Sequence, residues 1–467
     1  MLNGRKSTAK FKTALEKEKN NKKRRLRMES LKKRRIFISL IVATAFLLVA
    51  TIAYALLGDD DPYKYFSGVG DKFDISPDDK HFLFSNYLNG KEAIYRANGD
   101  GTDVIQLTSS ETERHHAPKY SRDGKKILFL SKNSERINTL NLANQDGNQK
   151  KQLTSNNLHV SEAVFSYSGE TIYYVGMPAE DFKKAEGETS KGFDLYSIEI
   201  DDGKIKRLTN KNYFEMTSLS VSPDGKEVYY NLFNGNKEII TSFSIETGLE
   251  QGKTISEVMP NDSYNFQLSP DGAKLAFTAV SKESQNGSLF EYELFLIDIE
   301  KQRTKRLTDL NSSVASPKFF HHKNQIAFLE NTNWPQEPAE FDLYVLDLGT
   351  EKLQSIHLAL SNQDVSHRLI DGVNQLVNGF TIAILYIILF GFLITYLYYY
   401  HSKEKSYLPV KISFSLTVVA FISSIVVAFV VDPWFGMGVG MLTAALMVCT
   451  FLVFGYAFVL NRFGKKP

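Results

Sequence analysis

Ser222-Pro223-Asp224-Gly225-Lys226-Glu227-Val228-Tyr229-Tyr230 reads as a tight turn followed by a strand. Proline presets φ for the second turn position, aspartate suits the third, and glycine takes the left-handed conformation, so Ser-Pro-Asp-Gly closes a hairpin. The residues after it alternate with the two-residue period of a β-strand. A degraded or intact copy of the stretch occurs six times between residues 73 and 330.

Aligned on the serine, the copies begin at Ser76, Ser121, Ser166, Ser222, Ser269 and, with the turn lost, Phe320. Six and eight positions on stand Phe82 and Phe84, Ile127 and Phe129, Ile172 and Tyr174, Val228 and Tyr230, Leu275 and Phe277, Ile326 and Phe328. A second strand follows, clearest as Phe193-Asp194-Leu195-Tyr196, Tyr292-Glu293-Leu294-Phe295 and Phe341-Asp342-Leu343-Tyr344. Four copies then end in Leu-Thr, at Leu107, Leu153, Leu208 and Leu307. Each unit therefore holds about four short strands at a period near 40–50 residues, the content of one propeller blade. The fold class is an all-β propeller of six four-stranded blades plus four transmembrane α-helices.

The pattern resembles the WD-like repeat of TolB-type β-propellers, over roughly residues 67–358. It departs in three turns, with Asp79 in place of the glycine, Tyr167-Ser168-Gly169 in copy three and His321-His322-Lys323 in copy six. Aspartate tolerates the left-handed region and lysine does so poorly, so the sixth hairpin is expected to be the loosest. On the same reasoning Gly225→Val is expected to destabilise, and Asp79→Gly to be harmless. TolB is a soluble periplasmic protein with an extra N-terminal domain, features not read in this sequence, so the resemblance carries over no partner.

The net charge of +2 conceals segregation, because residues 1–35 hold fifteen Lys and Arg against Glu16, Glu18 and Glu29. That basic arm abuts an uncharged apolar run at 36–57, long enough to cross a hydrocarbon core of about 30 Å. Basic clusters beside a span meet anionic lipid headgroups, and the arm lacks the aromatic interleaving of a nucleic-acid binder. A linker at 58–66 precedes the propeller, and an amphipathic helix is expected at 359–376. Further spans follow at 377–400, 411–431 and 434–460, then a tail at 461–467. Lys403, Lys405, Arg462, Lys465 and Lys466 flank them, so the positive-inside rule puts both termini in the cytoplasm and the propeller outside a cell membrane. The spans carry no ionisable residue away from their ends, which argues against an ion pathway. Gly436 and Gly440 form a small-residue surface for helix packing.

Three blades carry extra residues between their second and third strands, at 176–192, 281–290 and 331–340. In an up-and-down blade that connection lies on the same face as the loop leading to the next blade. The candidate ligand-binding ring at the channel mouth comprises Asp71, Arg114, His116, His159, Glu215, Asp262 and Tyr264. It suits a polar ligand, or a metal held by His116, His159, Glu215 and Asp71. His115 and His116 are adjacent on a strand and point to opposite faces.

No hydrolase elbow, phosphate loop, dinucleotide fingerprint or His-Glu-x-x-His is present, so no cofactor is implied and no catalytic residue stands out. The leading expectation is a membrane-anchored recognition or scaffold module for a protein, peptide or envelope ligand, with a protein partner in or beside the membrane. The alternative is a propeller enzyme, a metal-assisted lyase or hydrolase at the channel mouth. Because the chain enters blade one and leaves blade six on the strand ends nearest the insertions, that face is expected to lie toward the bilayer.

Overall fold

The computed structural model describes residues 3–57, 61–185, 187–235, 237–253, 259–260, 262–285, 287, 289–360 and 376–464. They form two compact units, one of residues 61–366 and one of residues 1–60 with 367–467. In the first, the blades span 68–106, 114–152, 158–207, 216–252, 263–306 and 313–356, each made of four sequential strands paired antiparallel. A single parallel bridge between Tyr292 and Ser313 joins the fifth sheet to the sixth. The paired apolar positions fill the space between blades: Phe82, Phe84, Ile127, Phe129, Ile172, Tyr174, Val228, Tyr230, Phe277, Ile326 and Phe328 are all at most 1% exposed.

The serine of each turn has a task beyond turn propensity. Its Oγ donates to the aspartate two residues on in copies one, two, four and five, at 2.6–2.7 Å. It also accepts the amide five residues on, at 2.9–3.1 Å, in the five copies that keep the serine. Gly225 sits at φ +71°, and a Cβ there would lie 2.7 Å from Cβ of Tyr167 in the neighbouring blade. Gly225→Val therefore meets a handedness penalty of roughly 1–2 kcal/mol and a blade-to-blade clash in addition. Urea titration of the detergent-solubilised chain is expected to show a loss above that range, and Gly225→Ala a smaller one.

The closing Leu-Thr pairs are explained by one hydrogen bond made four times. The hydroxyls of Thr108, Thr154, Thr209 and Thr308 accept the amides of Ile94, Leu140, Leu195 and Leu294 at 2.8–3.0 Å. Each bond ties the outer strand to the third strand, where the ladder ends and an amide would otherwise stay buried without a partner.

Among the described residues no strand of blade six pairs with one of blade one, and the ring closes mainly through side chains. Phe73, Ile75, Phe82 and Tyr95 of blade one pack with Phe320, Leu329, Leu343 and Val345 of blade six. Asp79, 4% exposed at φ +58°, accepts the amides of His321 at 2.7 Å, His322 at 2.7 Å and Lys323 at 3.1 Å. The sixth turn needs no Ser-Pro-Asp-Gly because the first turn's aspartate organises it from outside. This overturns the expectation that Asp79→Gly is harmless. On the opposite face, Tyr63 stacks on Tyr87 and accepts the Ala339 amide, while Asp61 pairs with Arg114.

The chain enters the ring on the insertion face, where the Gly90 amide donates to Phe66 O. The last outer strand ends at Ile356, paired with Leu343 near the insertion-side end of the third strand, and the Ala359 amide then donates to Gly101 O of blade one. Leu358 and Leu360 are drawn there by the apolar seam between blades six and one.

The second unit contains four helices long and apolar enough to cross a membrane: α1 (Asn3–Leu57), α3 (Gly379–Tyr400), α4 (Leu408–Val430) and α5 (Pro433–Phe463); α2 is a short turn of helix in blade three, Ala179–Phe182. Their apolar spans are Leu31–Leu57, Gly379–Tyr400, Lys405–Val430 and Pro433–Phe463, within a few residues of the expected bounds, the second slightly shorter and the others longer. Asp432 caps α5 by accepting the amides of Trp434 and Phe435. Beside it Gly436 lies so close to Ala428 of α4 that a Cβ would sit 2.3 Å from the alanine's, so this glycine packs inside the chain. Ser413, Thr417 and Thr450 hydrogen-bond within the bundle, joined by the Tyr386 hydroxyl. The helix expected at 359–376 falls almost wholly outside the described residues.

Candidate functional site

The innermost strands are Gly68–Ile75, Arg114–Tyr120, Leu158–Phe165, Met216–Val221, Ser263–Leu268 and Ser313–Phe319. Each breaks register with its neighbour once, near its middle. At the break Ala117, Ser218, Asn265 and Ser316 occupy one repeat position, four residues before the anchor, and all have φ between +50° and +58°. A bulge bends the strand and re-aims the side chains after it. Around these bulges the six strands enclose a cavity of about 260 Å³ on the channel axis. Lys72, Lys119, Glu162, Ser218, Gln267 and Lys318 line it, one from each blade.

Inter-blade hydrogen bonds hold this ring. Glu162 accepts the amides of Ser218 at 3.0 Å and Leu219 at 2.7 Å, and Asp74 accepts that of Tyr120 at 2.8 Å. The Ser218 hydroxyl accepts the Phe266 amide, and that of Ser316 donates to Asp71 O.

Of the expected mouth residues, Asp71, His116 and His159 lie on the side of blades one to three. Asp71 is exposed and, with His116, lines the cavity. His116 donates from Nε2 to Asn138 Oδ1 at 3.2 Å, and the Asn138 amide donates to His159 Nδ1 at 3.3 Å. Burial, and after it the Lys132 ammonium, pushes His116 down to about 4. Burial and His116 do the same to His159, whose ring stacks on Phe182 at 3.5 Å. Both are neutral near pH 7. His115 is fully buried on the opposite strand face, its Nδ1 2.8 Å from Thr108 Oγ1.

Arg114 does not present a free guanidinium, because it pairs with Asp61 of the incoming chain. Glu215, Asp262 and Tyr264 lie toward blades four and five. Glu215 stands near Glu238, a 9% exposed carboxyl that burial and then Glu215 push up to about 7. Tyr264 meets Tyr292 edge to face, Tyr292 meets Trp334 likewise, and the Trp334 indole donates to Phe290 O at 2.8 Å. The insertions of blades five and six are thereby linked into one aromatic rim. Among the described residues no three His, Cys, Asp or Glu side chains converge as a metal site, so His116, His159, Glu215 and Asp71 do not form one.

The cavity lysines, Glu162 and the buried Glu92 escaped sequence reasoning. Burial and then Asp71 push Glu92, 3% exposed, up to about 7. The missed signal is the pair of rings four and two residues before each anchor. They read Lys72, Ala117, Glu162, Ser218, Asn265, Ser316 and Asp74, Lys119, Val164, Ser220, Gln267, Lys318.

Residues 109–238 match the family described as the dipeptidyl peptidase IV N-terminal region. A curated relative, dipeptidyl-peptidase 5 of Porphyromonas endodontalis, is 22% identical over 273 residues, 48% of this chain and 38% of that protein. The chain thus spans well under half of that relative's length. Similar solved structures include TolB from Acinetobacter baumannii, with 17% identity, 65% of this chain and 66% of the other covered, and a TM-score of 0.44. Oligogalacturonate lyase from Vibrio parahaemolyticus is another, with 11% identity, 60% and 89% covered, and a TM-score of 0.44.

Proposed function

We propose that this chain is a membrane-anchored recognition module whose propeller binds a protein, peptide or envelope ligand at the channel mouth. In this reading the four apolar helices cross a cell membrane, the basic arm at 1–35 meets anionic lipid, and the propeller stands outside. The observation that carries the reading is the mouth itself. Tyr264, Phe290 and Trp334 are 37%, 50% and 37% exposed there, on or beside the linked insertions of blades five and six, above a ring fixed by hydrogen bonds. Exposed aromatics on a rigid platform are the usual anchors of a protein interface. Purification from mild detergent followed by mass spectrometry tests it. A defined membrane or envelope protein is expected to copurify, and to be lost from Phe290→Ala/Trp334→Ala. Unchanged recovery from that variant would count against the mouth.

A second reading, a peptidase, is favoured by the curated relative. It is checked by incubating the purified chain with dipeptidyl chromogenic amides. The recognition reading expects no turnover above buffer, whereas saturable release of the chromophore would replace it with the enzymatic one.

A further inference from the structure

We propose that the central channel binds a small multivalent oxyanion, phosphate or polycarboxylate, between Lys72, Lys119 and Lys318. These lysines come from blades one, two and six, which are neighbours in the ring, and all three line the cavity of about 260 Å³. None has a carboxylate oxygen within 4.0 Å among the described residues. Lys119 Nζ donates to Leu219 O at 3.5 Å and Lys318 Nζ to Gln267 Oε1 at 3.0 Å. Lys72 makes no hydrogen bond or ion pair among the described residues. An ammonium carries three N–H donors, so most of the donors here have no protein acceptor.

The nearby carboxylates Asp71, Asp74 and Glu162 oppose the lysine charges but form no ion pair with them among the described residues. Glu162 has both oxygens on backbone amides, and Asp71 is exposed at the mouth. The buried Ser161 Oγ, also on the lining, has no hydrogen-bond partner among the described residues. Burial, and after it the Lys119 charge, pushes Lys318 down to about 8, with Lys72 acting in the same sense and Asp74 and Glu162 opposing. A compact anion would supply acceptors to all three lysines and relieve that repulsion. Lysine serves this purpose as a point charge on a flexible stem, which suits phosphate and clustered carboxylates. The backbone bulges at Ala117, Ser218, Asn265 and Ser316 surround the same space, and strained positions of this kind gather at ligand sites.

The inference concerns the channel interior and stands whether or not a macromolecule docks on the rim. It is tested by isothermal titration of the full chain in detergent with inorganic phosphate and with citrate, at low ionic strength. Saturable binding of at least one is expected, and whichever binds more tightly identifies phosphate or carboxylate chemistry. Lys119→Met and Lys318→Met are each expected to weaken it at least tenfold, while Asp342→Asn, exposed on blade six and off the cavity lining, leaves it unchanged. Affinity is expected to fall as pH rises through about 8, because Lys318 then loses its proton. Should the lysine variants fold poorly, acylation of Lys318 at pH 8 in the unaltered chain, read by mass spectrometry, is expected to slow when the anion is present. Neither saturable heat nor protection with either anion, or equal affinity in folded lysine variants, would overturn the proposal.

Discussion

Asp79→Gly is expected to destabilise the propeller by about 3 kcal/mol or more. Hydrogen bonds to a charged acceptor contribute about 1.5–3 kcal/mol each, and Asp79 accepts three. Glycine returns only the roughly 1–2 kcal/mol handedness penalty that aspartate bears at φ +58°. The loss falls on the seam between first and last blades, so cleavage there is expected to precede unfolding of the other blades. Asp79→Asn keeps two acceptor lone pairs and the turn conformation, and is expected to lie between. Urea titration of the full chain in detergent, with limited proteolysis mapping the first cut, checks both. A neutral Asp79→Gly would mean that the apolar seam alone closes the ring.

Asp194→Ala is expected to cost a similar amount by a different route. Asp194 is fully buried, and its oxygens accept the Thr209 hydroxyl at 2.7 Å, the Lys211 amide at 2.7 Å and the Asn212 amide at 3.2 Å, beside Arg207. Glu293 does the same for Thr308, Leu310 and Asn311, beside Arg306. Each acid shapes the loop leading to the next inner strand, with Asn212 and Asn311 at φ +53° and +54°. Breaking one side of a buried pair typically costs about 3–5 kcal/mol, reduced here because both arginines are partly exposed. Asp342 stands at the equivalent position of blade six, is exposed, and has no following blade to organise. Asp342→Ala is therefore expected to stay within about 0.5 kcal/mol of the parent. Equal losses at Asp194 and Asp342 in the same titration would contradict this account of the motif.

These two sites mark the boundary of what the chain discloses before folding. The blades were legible because their signals are local: turn residues at fixed offsets, a two-residue alternation, and a Leu-Thr end. Asp79 looked like a tolerable substitute for glycine because its partners lie more than 240 residues away. Arg114 belongs to the expected mouth ring on its position alone, and its pairing is invisible there because its partner Asp61 lies outside the repeat. The mouth ring was found by counting back in steps of two, which holds only until the strand bulges. Past the bulge the pleat changes phase, so the positions four before each anchor line the cavity, joined by Lys119, Gln267 and Lys318 two before theirs, a phase that a simple alternation does not reveal.

The claim that the insertion-bearing mouth is the recognition surface is tested most directly by photo-crosslinking in living cells. A photoreactive residue is placed at His116 or Trp334 on the mouth side, and at Asp224 or Asp271 in the opposite turns. The recognition reading expects one defined protein or envelope component to be captured from both mouth positions and from neither turn position. Capture from the turns alone would contradict it.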